Sequence, residues 1–214
     1  MLPELPSHKV DLILTDPPFF NPAAHYISRD KEKGRRTFGD MSIMKIAFRG
    51  IIAELSRIQK KQGHTLIFCD CITYPTFFEC AYNYFGYIRA LIWYKGRNYF
   101  SLGKGAWRYS YEMILHAFNE NQFYVQLNRQ DLIECKNIIQ DEKLHQAEKP
   151  TELLGKLIEA VTNEGFIVLD PFLGSGSTLF AAKKLNRYSI GIEIEEKYCE
   201  IAARRCSQEV MEFK

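Results

Sequence analysis

Short apolar runs alternate with stretches of helical periodicity along the whole chain. VDLILT at 10–15 holds four apolar residues in six and reads as a buried strand. Residues 41–61 place Ile43, Ile46, Ala47, Ile51, Leu55 and Ile58 at helical spacing, with Gly63 as the stop. HTLIFCD (64–70) predicts a strand, 75–85 an aromatic-rich helix, and YIRALIWYK (87–95) and YEMILHAF (111–118) two further strands. Pro150 opens a helix through about Asn163. FIVLD (166–170), a helix over 176–186, YSIGIEI (188–194) and a helix over 195–208 complete the pattern. Six strands alternating with helices predict an α/β sheet that is largely parallel. The long polar stretches 20–40 and 96–110 are loops of a length that is more often functional than idle.

Composition narrows the class. The 214 residues are 46% hydrophobic and 25% charged, which excludes a disordered chain. A net charge of +2 is too mild to indicate a polyanion partner, so the placement of charge matters more. No apolar run approaches a membrane span and no leader pattern opens the chain, so a cytoplasmic protein without a membrane partner is expected. The six cysteines form no CxxC pair, which predicts reduced thiols and no metal site.

The strongest local signal is LDPFLGSGST at 169–178. A strand ends at Asp170, a glycine-rich turn containing Gly174 and Gly176 follows, and a helix begins, so backbone N–H groups point at a ligand. Glu193 ends the next strand, where an acid accepts hydrogen bonds from ribose hydroxyls. Three nucleoside cofactors compete. A Walker loop would need Gly at 171 and Lys at 177, where the chain has Pro171 and Ser177. A dinucleotide fingerprint would need a third glycine at 179, where Leu179 stands. S-adenosylmethionine has adenosine but no phosphate and does not demand that glycine set. The second signal is TDPPFF at 15–20. Asp-Pro-Pro alone is a turn element. Beside Phe19, a rigid acid and its neighbouring carbonyls also suit a planar exocyclic amine.

Together these motifs resemble the DNA amino-methyltransferases, specifically their circularly permuted β group, in which the catalytic motif precedes the cofactor motif. LPSHKVDLILTDPPF, LIWYKG, SYEMILHAF, HQAEKPTELLGKLI, VLDPFLGSGST and IGIEIEEKY carry the likeness, from about Leu5 to Arg205. The resemblance implies a three-layer Rossmann-like methyltransferase fold, circularly permuted, with a mostly parallel sheet, an antiparallel edge strand and one N-terminal edge strand absent. It implies one domain over 1–214: a catalytic half at about 5–118, a short variable region at 119–148 and a cofactor half at about 149–208. Asp16 and the Pro17 carbonyl would accept hydrogen bonds from the target amine, with Pro18 stiffening the turn and Phe19 stacking on the extruded base. Asp170, Phe172, Gly174, Ser175, Gly176, Ser177 and Thr178 would surround the methionine part of S-adenosyl-L-methionine. Lys149, Pro150 and Thr151 would close over it, and Glu193 would hold the ribose.

Between Glu79 and Glu112 there is no acid, while aromatics and basic residues abound. Lys95, Arg97, Lys104 and Arg108, with Lys31, Lys33, Arg35 and Arg36 in the earlier loop, are expected to meet the phosphates of double-stranded DNA. The Asp-Pro-Pro form with Phe19 favours adenine-N6. Cytosine-N4, RNA, a nicotinamide oxidoreductase and a nucleic-acid-binding protein with a vestigial cofactor site are the alternatives. A homodimer and a restriction-enzyme partner are expectations by analogy alone.

Overall fold

The computed structural model describes residues 2–18, 41–96, 110–120, 124, 129–136 and 148–207. Seven strands form one sheet: β1 (Val10–Thr15), β2 (Gln59–Cys69), β3 (Tyr87–Tyr94), β4 (Tyr111–Phe118), β5 (Leu132–Glu134), β6 (Ile167–Asp170) and β7 (Tyr188–Gly191). Their order is β5-β3-β4-β2-β1-β6-β7. Among the described residues five α-helices accompany them: α1 (Met41–Ile58), α2 (Tyr74–Ala81), α3 (Thr151–Val161), α4 (Ser177–Lys184) and α5 (Glu196–Ser207). None among the described residues is long and apolar enough to cross a membrane.

Strand alternation builds two cores. Ile13, Ile67, Leu115 and Leu169 face one side, where Phe48, Ile52, Leu55 and Ile58 of α1 and Phe77 of α2 cover them. Leu12, Leu14, Leu66, Phe68 and Val168 face the other, under Leu153, Leu154, Leu157, Ile158 and Val161 of α3 and Ala181 and Ala182 of α4. The i, i+3/i+4 recurrence of those α3 residues is what gives it one apolar face. Helices on both faces make the expected three-layer α/β architecture.

Four sequence expectations change. In α1, Ile46 is 71% exposed and Ala47 is exposed; Phe48 and Ile52 take the buried face instead, so the apolar stripe is rotated. Gly63 does not stop that helix, which ends at Ile58, but lies within β2. A Cβ on Gly63 would sit 2.8 Å from the Asp11 carbonyl oxygen, so glycine permits the close approach of β1 where its register with β2 shifts. The antiparallel strand is β4, paired antiparallel to both β2 and β3, and it is interior. The three-residue β5 pairs parallel to β3 and forms that edge. Such a short strand carries too little periodicity to be read from sequence.

Candidate active site

The two motif-bearing strands are neighbours. β1 ends at Thr15, with Asp16 next along the chain, β6 ends at Asp170, and the two strands pair in parallel. The β1–α1–β2 crossover covers one face and β6–α4–β7 the other, so the chain departs in opposite directions from β1 and β6. A crevice opens outside the carboxyl ends of strands at such a switch point. Thr15 ties the halves together: its Oγ1 donates to Asp170 Oδ1 at 2.8 Å, although 155 residues separate them.

Asp170 is almost fully buried, and burial raises its carboxyl from 3.8 to about 6 against the lowering effect of hydrogen bonds from Thr178, Thr15 and the Phe172 N–H. The Phe172 N–H donates to Asp170 Oδ1 at 3.1 Å, which closes the turn on its own acid. Gly176 caps α4 at φ +81°, and a Cβ there would lie 2.7 Å from that of Ala202 on α5. The Gly174 N–H donates to Glu193 Oε2 at 2.8 Å, while Glu193 Oε1 accepts from the Ile194 and Glu195 N–H groups. Glu193 thus braces the turn, and its Oε2, which takes one N–H, retains a second acceptor position, while Oε1 is filled by two. Ser175, Ser177 and Thr178 are buried and line a small cavity with Asp16, Phe68, Lys149 and Asp170.

Lys149 supplies the principal charge contact of that cavity. Its ammonium lies 2.5 Å from Asp16 Oδ2, 3.3 Å from Glu112 Oε2 and 4.9 Å from the centre of the Phe68 ring. Burial works against its charge, but Asp16 and Glu112 outweigh it and hold the lysine above its ordinary range. Burial likewise opposes ionisation of Glu112, and Lys149 and Lys95 reverse that, leaving its carboxyl below its usual range. Lys95 pairs with Glu112 Oε1 and lies 4.7 Å from the Trp93 ring centre. The preceding Glu148 is buried and bonded to Arg205 at 2.5 Å, which fastens this segment to α5.

Of the sequence-derived candidates, Asp16, Lys149, Asp170, Phe172, Gly174, Ser175, Ser177 and Thr178 share one cavity lining. Pro17 is buried and Pro18 exposed beside Asp16; Pro150 caps α3 and Thr151 begins it. Phe19, Lys31, Lys33, Arg35, Arg36, Arg97, Lys104 and Arg108 lie outside the described residues. Lys95 turns toward Glu112 and Trp93. Glu112, Phe68 and Thr15 were not singled out by motif. The signal available for Glu112 was an acid inside the apolar strand YEMILHAF. A roomier cavity of about 380 Å³ opens toward the far end of β4, among His116, Phe118, Tyr124 and Ile133, and shares none of these residues. His116 there is buried against His64 at 2.9 Å and is pushed by burial down to about 3, so it is a neutral core histidine.

A family model described as DNA methylase matches residues 10–204. The type II methyltransferase M.HindIII of Haemophilus influenzae is 43% identical over 95 residues, 42% of this chain and 31% of the relative. M.HpaI of Haemophilus parainfluenzae, also a type II methyltransferase, is 48% identical over 71 residues, 33% of this chain and 23% of the relative. The match therefore spans about a third or less of these curated relatives. The structure of the M1.HpyAVI–SAM complex superposes with a TM-score of 0.72 at 26% identity, over 94% of this chain and 90% of that one. The cytosine-N4-specific PvuII DNA methyltransferase gives 0.76 at 16% identity over 99% and 84%, a likeness of fold alone.

Proposed function

The chain belongs to the DNA methylase family, and on that premise we propose that it transfers a methyl group from S-adenosyl-L-methionine to the exocyclic N6 of a flipped-out adenine in double-stranded DNA. The donor set suits that cofactor. Its aminoacyl end carries an ammonium and a carboxylate. Asp170 offers an anion, while the hydroxyls of Ser175, Ser177 and Thr178 offer donors in the same cavity. Glu193, with one acceptor position left on Oε2, would take a ribose hydroxyl. The turn lacks the P-loop lysine that a phosphate would call for, since Ser177 stands there.

When bound, the cofactor supplies a methyl group already activated by its sulfonium. What the chain must add is chiefly alignment of amine, methyl and sulfur. Adenine's amine is conjugated with its ring and nucleophiles of that kind are weak. Hydrogen bonds from the amine to Asp16 and the Pro17 carbonyl would draw its nitrogen toward tetrahedral geometry and stabilise the positive charge that develops there. The base must leave the duplex at a cost of a few kcal/mol, with stacking on Phe19 offsetting part of it. Basic side chains in the 20–40 and 96–110 loops would hold the phosphates.

The observation that carries this reading is the adjacency of Asp16 and the Asp170 turn at the strand-order switch, bridged by Thr15. Its test is transfer of labelled methyl from S-adenosylmethionine to unmethylated genomic DNA, with the product nucleoside identified by mass spectrometry. N6-methyladenine is the expected product. N4-methylcytosine would replace the base in the reading, and cofactor binding without any methylated nucleoside would refute DNA as the substrate.

A further inference from the structure

We infer that Lys149 is a positioning residue for Asp16, anchored by Glu112, and that the alternating chain Lys95–Glu112–Lys149–Asp16 keeps Asp16 an acceptor when it meets the target amine. The consequence for catalysis rests on the methyl-transfer reading above; the geometry does not.

An ammonium withdrawn from water is costly unless anions replace its hydration. Lys149 is 8% exposed, and its two carboxylates come from either side of β2: Asp16 follows β1, and Glu112 sits on β4. The far oxygen of Glu112 is bonded in turn to Lys95, so two cations and two anions alternate through the site. The backbone at Lys149 is fixed on both sides, by the Glu148–Arg205 pair before it and by the start of α3 after it. Its ammonium is therefore held at a set place, in contact with the acid that faces the substrate.

That contact decides which form of Asp16 the amine encounters. An ionised carboxylate only accepts hydrogen bonds, whereas a protonated one also presents a hydroxyl donor, the wrong partner for an N–H group. Anions surround Asp16: Asp170 lies across Thr15 and Glu112 lies behind Lys149, while the buried Cys69 thiol offers no charge, its own ionisation pushed up to about 12 by burial. Glu148, in the same cavity lining, is committed to Arg205. Among the described residues, Lys149 is a cation in direct contact with Asp16, with Lys95 one step further along the chain of charges. Glu112 shares the ammonium, which meets Asp16 through Oδ2.

The test uses the intact protein with Lys149→Met, which removes the charge and keeps the length of the stem, and Lys149→Arg, which keeps the charge. Single-turnover methyl transfer to DNA is measured against pH, alongside the equilibrium Kd for S-adenosylmethionine. For Lys149→Met, transfer at a pH on the acid limb should fall by about tenfold for each pH unit that the limb moves. The acid limb of the profile should move up by about one pH unit or more, the loss of single-turnover rate at saturating cofactor should exceed any rise in cofactor Kd, and Lys149→Arg should recover part of both the rate and the limb. If Lys149→Met fails to fold because Asp16 and Glu112 are left facing one another, the double variant Lys149→Met/Glu112→Gln removes one charge of each sign and should fold yet transfer slowly. An acid limb unmoved in these variants, or a loss confined to cofactor affinity, would overturn the inference. Titration of the Asp16 carboxyl by carbon NMR without DNA separates the two readings. A wild-type protein that methylates no DNA, but whose Asp16 titrates higher once Lys149 becomes Met, would sink the methyl-transfer reading and leave the pairing standing; an unmoved Asp16 would sink the pairing whatever the activity.

Discussion

Asp170→Asn should make the protein more stable and less able to hold its cofactor. The Asp170 carboxyl is buried at the end of β6, and burial raises it from 3.8 to about 6. A carboxyl so raised favours its neutral form in the folded state, so its contribution to stability is fully present below about pH 4 and is lost as pH climbs through about 6. The full loss corresponds to roughly 3 kcal/mol at about 1.4 kcal/mol per pH unit. Asparagine is neutral throughout, keeps an oxygen where Thr15 and the Phe172 N–H donate, and brings an amide donor toward Thr178. Its unfolding free energy should exceed that of the wild type by about 1–3 kcal/mol at pH 8, some of the gain being forfeited with the charge-assisted bonds. The gap should close toward pH 4.5. Paired urea titrations at pH 4.5, 6 and 8 read this difference directly, and other titrating groups cancel between the two proteins. A gap independent of pH, or a variant less stable at pH 8, would refute the reasoning. The same substitution should weaken S-adenosylmethionine binding by at least about tenfold, the trade of stability against function expected at a strained binding acid.

Asp16→Ala should reduce methyl transfer by about 1,000-fold or more, as loss of a transition-state acceptor does, while DNA affinity measured by fluorescence anisotropy stays within about threefold. Gly176→Ala meets both a left-handed backbone at φ +81° and a Cβ 2.7 Å from that of Ala202, so it should lower stability by about 1–3 kcal/mol in denaturant titration. Leu12→Ala, at a fully buried position of the interior strand β1, should lose about 2–5 kcal/mol by the same measurement. Arg205→Ala leaves Glu148 buried without its guanidinium and should cost about 3–5 kcal/mol in denaturant titration.

What could be read from the sequence was whatever is local. VDLILT and FIVLD announce strands because each run is short, apolar and bounded by turn formers, and the α3 helix because its leucines recur on one face. The glycine turn and the Asp-Pro-Pro element are each contiguous, so both could be assigned before any fold was known. Their adjacency could only be supposed, because it depends on the parallel pairing of β1 with β6 across 155 residues. The rotated face of α1 shows the limit of periodicity. Ile46 and Phe48 are both apolar, and the packing of Phe48 on Phe77, with ring centres 3.9 Å apart, decides which one turns inward.

The ion chain was illegible for a stronger reason. Its members stand at positions 16, 95, 112 and 149, on four separate segments, and no spacing rule links them. Sequence proximity put Lys95 with the loop expected to meet phosphates, and the family likeness put Lys149 over the cofactor. The fold brings both ammonium groups to Glu112, with Lys149 also lining the Asp170 cavity. Glu112 is the residue that should have prompted the question. An acid on a strand otherwise turned into the core must find a cation or give up its charge, because burial alone drives a carboxyl toward protonation. It finds two, and one of them reaches on to Asp16. A half-buried acid in an apolar strand is therefore a reason to look for a paired cation near the chemistry, a rule that needs no motif and that this site would have satisfied.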